Sequence, residues 1–492
     1  ASKLHYILNN TEIWKQLCNI SIIDSINDEI NNISNFYNQH STIFHQNSFF
    51  ISFHKIGINN SGILFSSNFD IETIKEYVKI NSLLGEPISK TIYNNQYIFE
   101  VSNEKKTLFI AYKNDVIFLS QNKMLVEDAI RTSGINENLN NNTYFSKLYS
   151  TLNSSSDIHV LLNFNLLFEL TNLFTKDNKR INSFSEWTAT DINIKDQLIT
   201  ANGFSTVRNN PNNFTDLFKS QSSKKTKIID IIPESTSILF SIGFSDANAL
   251  YTKKNELLVQ QNNFWSWDKR RKLIEESYNV NYKEFINELE LEAGTFNTSS
   301  TINNSQQYVY LRCKNPITGI SLIQGLIKDR INYQEYSINT LADPNFSYQL
   351  FGDLFNYDTP YFIIINDYLI FSSTQSSLEN LIDNYKINKT LSNNQYFKKY
   401  KNNFLSKSNL FFYINPGRVA KSIKNSLISN FNDKIIFNND SILKFTGLSL
   451  QMLSKKDLML NNLSLYYEKS FKLPLKEEWL SHIDTSSSMN PQ

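Results

Sequence analysis

One stretch of this 492-residue chain occurs twice. Moved along itself by 252 positions, Phe109–Asn163 falls on Tyr361–Asn415 without a gap. Asn114-Asp115 meets Asn366-Asp367, Ser120 meets Ser372, and Glu127 and Ile130 meet Glu379 and Ile382. Ile135-Asn136 meets Ile387-Asn388, and Leu139 meets Leu391. Asn141-Asn142 meets Asn393-Asn394, Tyr144-Phe145 meets Tyr396-Phe397, Lys147 meets Lys399, and Asn163 meets Asn415. Identity at roughly a quarter to a third of an ungapped window this long is a repeat signal. The period is far beyond that of solenoids, so the expectation is a duplicated domain rather than an array.

Each copy reads as strand, tight Asn-Asp turn, strand, helix, helix, strand. Leu108–Tyr112 with Val116–Ser120 predicts one hairpin, and Tyr361–Ile365 with Tyr368–Ser372 the other. Ser376 and Glu379 have capping-box spacing. Asn163 and Asn415 stand where an N-cap is needed, and Pro416 suits the first helical position. A capping role explains these Asn residues better than a catalytic amide. Trp187–Ser205 resembles Phe445–Leu465, two long strands around Lys195-Asp196 and Lys455-Lys456. Upstream, Phe49–His54 and a helix capped by Asp70 correspond loosely to Tyr308–Arg312 and a helix starting near Pro316. Ile92–Tyr93 and Tyr97–Val101 flank Asn94-Asn95, a hairpin turn. The apolar strand Ser237–Phe244 opens the second copy and has no counterpart in the first. The expectation is that Ala1 is not the natural start, and that a strand and any export signal or anchor preceded it.

The predicted fold class is α+β: two tandem copies of one domain, each a mainly antiparallel β-sheet packed with helices. Domain 1 spans residues 1–207 and domain 2 spans 235–470. The Asn-, Pro- and Ser-bearing stretch 208–234, with its lysines, is the linker, and 471–492 is a truncated tail.

Composition removes several function classes. Apolar residues at 40% supply core material, so the chain is not disordered. A net charge of +1 gives no electrostatic case for nucleic acid. No apolar run approaches the roughly 18 residues of a transmembrane helix. Cys18 and Cys313 lack CxxC partners. Two buried free thiols are the preferred reading, with one disulfide as the alternative. None of the six histidines, His5, His40, His45, His54, His159 and His482, stands in a metal or catalytic spacing. His159 reads as a packed or edge imidazole. With 12 glycines, phosphate-cradling loops have little to be built from. Glu275-Glu276 and Glu288/Glu290/Glu292 read as solvated faces in helical surroundings. No catalytic residue, cofactor or metal is expected.

One cluster stands apart, Phe264-Trp265-Ser266-Trp267-Asp268-Lys269-Arg270-Arg271-Lys272. Trp and Arg dominate interface hot spots, which makes Trp265, Trp267, Arg270 and Arg271 the candidate partner-binding residues. Against this stands a packing reading, with Asp268 capping a helix and the tryptophans beneath the sheet. Trp14-Lys15 holds a comparable place in the first copy.

The duplicated unit, with its "Ser…Leu-Glu-x-x-Ile" helix and "Leu-x-Asn-Asn-x-Tyr-Phe" segment, resembles a group of large exported bacterial proteins classed only as a domain of unknown function. The resemblance implies a location in the cell envelope, outside the inner membrane, and brings no catalytic residues. The expected function is non-enzymatic: a scaffold or accessory module with other envelope proteins as partners. The alternative is a binding module for an apolar or amphipathic ligand, lipid-like or glycan, in a groove between sheet and helices. A hydrolase with a non-standard site is the third class.

Overall fold

Asparagine sets the hairpins. Asn94 and Asn95 have φ of 46° and 60°, and Asn114 and Asp115 have 51° and 59°. Two consecutive left-handed residues make the turn whose twist matches that of paired strands. The computed structural model describes residues 8–20, 23–24, 27–28, 31, 49–57, 60–68, 88–102, 107–135, 139–156, 158–171, 184–209, 211, 213–298, 306–420 and 439–471. The Asp70 helix, His5, His40, His45, His482 and the tail beyond Phe471 lie outside these residues.

The strands are β1 (Phe49–Ile56), β2 (Asn60–Asn68), β3 (Ile88–Tyr93), β4 (Gln96–Ser102), β5 (Thr107–Lys113), β6 (Val116–Ser120), β7 (Ile158–Asn163), β8 (Trp187–Lys195) and β9 (Leu198–Thr206). There follow β10 (Thr236–Gly243), β11 (Leu289–Thr298), β12 (Gln306–Cys313), β13 (Ile327–Tyr333), β14 (Tyr336–Leu341), β15 (Tyr361–Ile365), β16 (Tyr368–Ser372), β17 (Leu410–Ile414), β18 (Phe445–Lys455) and β19 (Leu458–Tyr467). The helices of the first half are α1 (Glu12–Leu17), α2 (Lys123–Thr132), α3 (Thr143–Tyr149) and α4 (Phe164–Thr171). Those of the second are α5 (Ala247–Gln260), α6 (Phe264–Tyr278), α7 (Tyr282–Glu288), α8 (Pro316–Leu322), α9 (Phe346–Phe351), α10 (Gln375–Lys386), α11 (Gln395–Lys401) and α12 (Asn439–Leu443). The fold is α+β, and the strand pairings among the described residues are antiparallel.

A six-stranded sheet runs β1-β2-β6-β5-β4-β3, and a thirteen-stranded one runs β13-β14-β15-β16-β12-β11-β10-β17-β18-β19-β9-β8-β7. Strands of both halves therefore share the larger sheet, a departure from one sheet per domain. The seam is β19 against β9, paired from Leu458↔Thr206 to Tyr466↔Leu198 about the central pair Asn462↔Asn202. At that centre Asn462 Nδ2 donates to Asn202 Oδ1 at 2.7 Å. α1 strengthens the seam, because Ile13 is buried with Phe445 and Tyr467 of the second half.

The central strands are covered on both faces. Along β12, Val309 and Leu311 enter the core shared with α5, α7 and α9. Tyr308 and Tyr310 enter the opposite core with α10 and α11. This is the two-residue period of a strand, with apolar side chains at consecutive positions because neither face is wet. The stretch read as a linker also belongs to these cores. Phe214, Leu217 and Phe218 pack in the first and Ile228, Ile229, Ile231 and Ile232 in the second. Its polar residues outnumber these apolar ones in sequence, but the apolar ones recur where they can turn inward together.

Side-chain capping sets the helix starts. Asn142 accepts from Tyr144 and Phe145 N–H, and Asn394 accepts from Tyr396 and Phe397 N–H. Asn163 accepts from Asn165 and Leu166 N–H, and Asn415 from Arg418 N–H. The cap of α10 is Thr374, which accepts from Ser377 N–H, not Ser376. Replacing Asn394 by alanine is expected to cost about 1 kcal/mol of stability, measured by urea denaturation. One strand correspondence also changes. β2 pairs with β6 as β12 pairs with β16, so Asn60–Asn68, rather than Phe49–His54, stands where Tyr308–Arg312 stands.

Candidate functional site

The aromatic–basic cluster lies on α6. Asp246 caps α5 by accepting from Ala249 N–H, and Asn262 turns the chain at φ 59°. α6 begins after Asn263 and closes on Asn279 in the left-handed conformation. Asp268 is therefore inside the helix and is not its cap. It pairs with Arg271 at 2.7 Å and Lys272 at 3.0 Å, which hold its carboxyl below the usual aspartate range against the opposing effect of burial.

Residues two apart on a helix point about 200° apart. Trp265 is accordingly 76% exposed and Trp267 only 4%. The buried ring touches Tyr251 and Phe264, each 5.9 Å away between centroids. Lys254 Nζ sits 3.7 Å from the Trp267 centroid and 4.3 Å from that of Tyr251, and donates to the Leu350 carbonyl at 3.1 Å. Burial, with Arg271 nearby, pushes Lys254 well below the usual lysine range. Arg271, one turn after Trp267, lies on the same side and bonds Asp268 and Glu275. Trp267 and Arg271 are thus internal supports, a correction to their reading as docking residues. Arg270 is half-exposed and stands 3.7 Å from Asp343.

A recess of about 300 Å³ opens against α6, lined by Ser266, Trp267, Arg270, Asn345, Tyr348 and Asn356. Several buried polar atoms in this part of the fold have no hydrogen-bond partner among the described residues. They are Trp267 Nε1, Tyr282 Oη, Asp343 Oδ2 and both amide atoms of Gln349. Asp343 Oδ1 accepts from Asn345 N–H, and burial raises its pKa. Arg270 supplies a guanidinium donor and the two asparagines supply amides. This lining suits polar recognition. It does not provide a nucleophile paired with a base.

Glu292 is the residue the sequence reading missed. Leu289–Thr298 is β11, not a helix, and an irregularity between Leu289 and Ala293 includes Leu291 at φ 63°. Glu292 is 1% exposed. Its Oε1 accepts from Tyr368 Oη and, at 2.9 Å, from Lys227 N–H, while Oε2 has no partner among the described residues. Burial pushes its pKa up to about 7, opposed by those hydrogen bonds and by Arg312. Gly294 lets Tyr310 approach, since a Cβ there would lie 2.6 Å from its hydroxyl. The signal available was the alternation Leu289-Glu290-Leu291-Glu292, which has strand period rather than helical period.

The remaining candidates are dispersed. His159 is exposed on β7 and lies 2.6 Å from Asp191, an edge imidazole. Cys18 and Cys313 are free thiols, Cys313 buried and Cys18 part-exposed; burial pushes the Cys313 thiol up to about 12. Among the described residues no three His, Cys, Asp or Glu side chains gather as metal ligands.

Residues 315–465 match the family described as Protein of unknown function (DUF3352). No curated protein and no solved structure matches the chain. The DUF3352 match begins at Asn315, the cap of α8, and ends within β19. It takes in Asn345, Tyr348 and Asn356 of the recess and leaves out α6. The two walls of the recess therefore differ, one inside an uncharacterised domain family and one outside the matched span.

Proposed function

We propose that this chain is a non-enzymatic interaction protein of the bacterial cell envelope, built from two copies of one α+β unit, with other envelope proteins as partners. The duplication is supported by element order. Strand, strand, helix, helix, strand from Thr107 to Asn163 recurs from Tyr361 to Ile414 with Asn caps at matching places. The β9–β19 seam adds to this, because a symmetric register between matching strands is what two copies meeting about a local two-fold axis would make. The envelope location rests on the family resemblance. Among the described residues no helix is long and apolar enough to cross a membrane.

The observation that carries the interaction reading is that α6 presents an exposed indole, Trp265, and contributes Arg270 to a polar recess. Tryptophan and arginine are the residue types that most often anchor protein interfaces. The recess is open and polar-lined, which favours surface docking over an enclosed apolar ligand.

Trp265→Ala with Arg270→Ala is expected to cost at least about 2 kcal/mol of binding, a loss of roughly thirtyfold or more. Because Trp265 is exposed, Trp265→Ala alone should change stability by no more than about 0.5 kcal/mol. The check is affinity purification of the full-length protein from its native envelope, followed by titration of the captured partner against both forms. Undiminished capture by the double variant would refute the site.

A further inference from the structure

In the second half β10 lies between β11 and β17 and pairs antiparallel with both. Ile238 faces Asn297 on one side and Ile414 on the other; Ile242 faces Ala293 and Leu410. β10 thereby joins the run β13-β14-β15-β16-β12-β11 to the run β17-β18-β19. The first half contains both runs in the same order, as β3-β4-β5-β6-β2-β1 and β7-β8-β9. Nothing among the described residues joins them. Among these residues β1 pairs only with β2, and β7 only with β8. α4 begins where β7 ends and packs against β1, so the two edges border one region.

The side chains along these edges carry the same sign of incompleteness. Leu410, Phe411 and Tyr413 of β17 are buried. At the matching positions of β7, Ile158 and Leu161 are half-buried and His159 is exposed. Val160 is 36% exposed, and Phe50 and Phe53 on β1 are each 53% exposed. An edge strand also turns half of its N–H and C=O groups away from its neighbour, where they template another strand.

We propose that β1 and β7 together accept one extended polypeptide strand that none of the described residues supplies. Its chemistry is that of Thr236–Gly243: eight residues, mostly apolar with small hydroxyl side chains and buried on both faces, without proline or charge. The second half sets the register. The Phe240 position falls between Ile51 and Val160, the Leu239 position between Ser52 and Leu161, and the Ile238 position between Phe53 and Leu162. Main-chain bonds to both edges supply affinity, and the alternating side chains supply specificity. Bound there, the strand merges the six- and thirteen-stranded sheets into one. The proposal rests on the duplication reading and is independent of the α6 surface.

The test is amide hydrogen exchange on the 492-residue protein, alone and with a synthetic peptide of Glu234–Ser245. A third sample carries that segment tethered to Ala1 by a flexible linker, which raises its effective concentration to about the millimolar range. A fourth carries the tethered segment with Leu239→Pro, which removes a ladder donor. The expected result is that exchange at Ile51–Phe53 and His159–Leu162 slows roughly tenfold or more in the tethered protein. The peptide should do the same at high concentration, and the proline form should not. Two results would overturn the proposal: no slowing in the tethered protein, or edges already as protected as β11 and β17 in the protein alone. Trp265→Ala leaves this readout untouched, so failure here is separable from failure of the α6 surface.

Discussion

Phe346→Ala is expected to lower the unfolding free energy of the second half by about 3–5 kcal/mol. Phe346 is fully buried and lies where helices and sheet meet. Its ring is 5.5 Å from Tyr282, 5.2 Å from Phe285 and 5.7 Å from Phe371, measured between centroids. Removing it opens a cavity among aromatic rings on α7 and β16, and rigid rings collapse poorly into lost volume. Urea denaturation followed by tryptophan fluorescence reports the effect, since Trp267 is buried in the same core region. A loss below about 1 kcal/mol would mean that this core relaxes far more than its packing implies.

Glu292→Gln is expected to change the shape of the stability profile with pH. A carboxyl whose folded pKa is raised keeps in the folded state a proton that the unfolded chain has already released. Stability from Glu292 is therefore greatest below the ordinary glutamate value of 4.5 and falls as pH rises to about 7. A shift of that size corresponds to roughly 3 kcal/mol. Glutamine keeps an oxygen for the Lys227 N–H and the Tyr368 hydroxyl but cannot ionise. The facing groups are Tyr368, Tyr310 and Arg312, and burial raises both tyrosines above their usual range, away from this window. Denaturation midpoints measured from pH 4.5 to 8 should fall for the native protein and stay nearly level, by comparison, for Glu292→Gln. Parallel profiles would show that Glu292 is ionised without penalty.

The contrast between α6 and β11 shows why part of the candidate site was legible and part was not. Trp265 and Arg270 were identifiable because a dense run of aromatic and basic residues is visible in the chain. The separation of Trp265 from Trp267 and Arg271 was also implicit, since helical spacing places Trp267 and Arg271 together and Trp265 opposite. Reading the run as one patch overlooked that geometry. Which side faced water, however, depended on Tyr251 and Lys254 of α5 arriving against Trp267. Glu292 was harder still. Its partners Lys227, Tyr368 and Arg312 are distant in sequence, and no local pattern announces a carboxyl that only a complete sheet encloses.

By itself the sequence determined the two-residue Asn turns, the Asn caps at 163 and 415 and the α+β class. Each depends on hydrogen bonds and backbone conformations spanning a few residues, so the residues concerned carry the information locally. Tertiary structure alone decided that β9 and β19 pair, so that strands of both halves share the larger sheet. It also decided that Phe214–Ile232 is core rather than linker, that Glu292 is sealed and that β1 and β7 are edges among the described residues. These outcomes depend on which strand lies beside which. Antiparallel pairing selects partners by burying side chains across the sheet, and that gain exists only after distant segments have met.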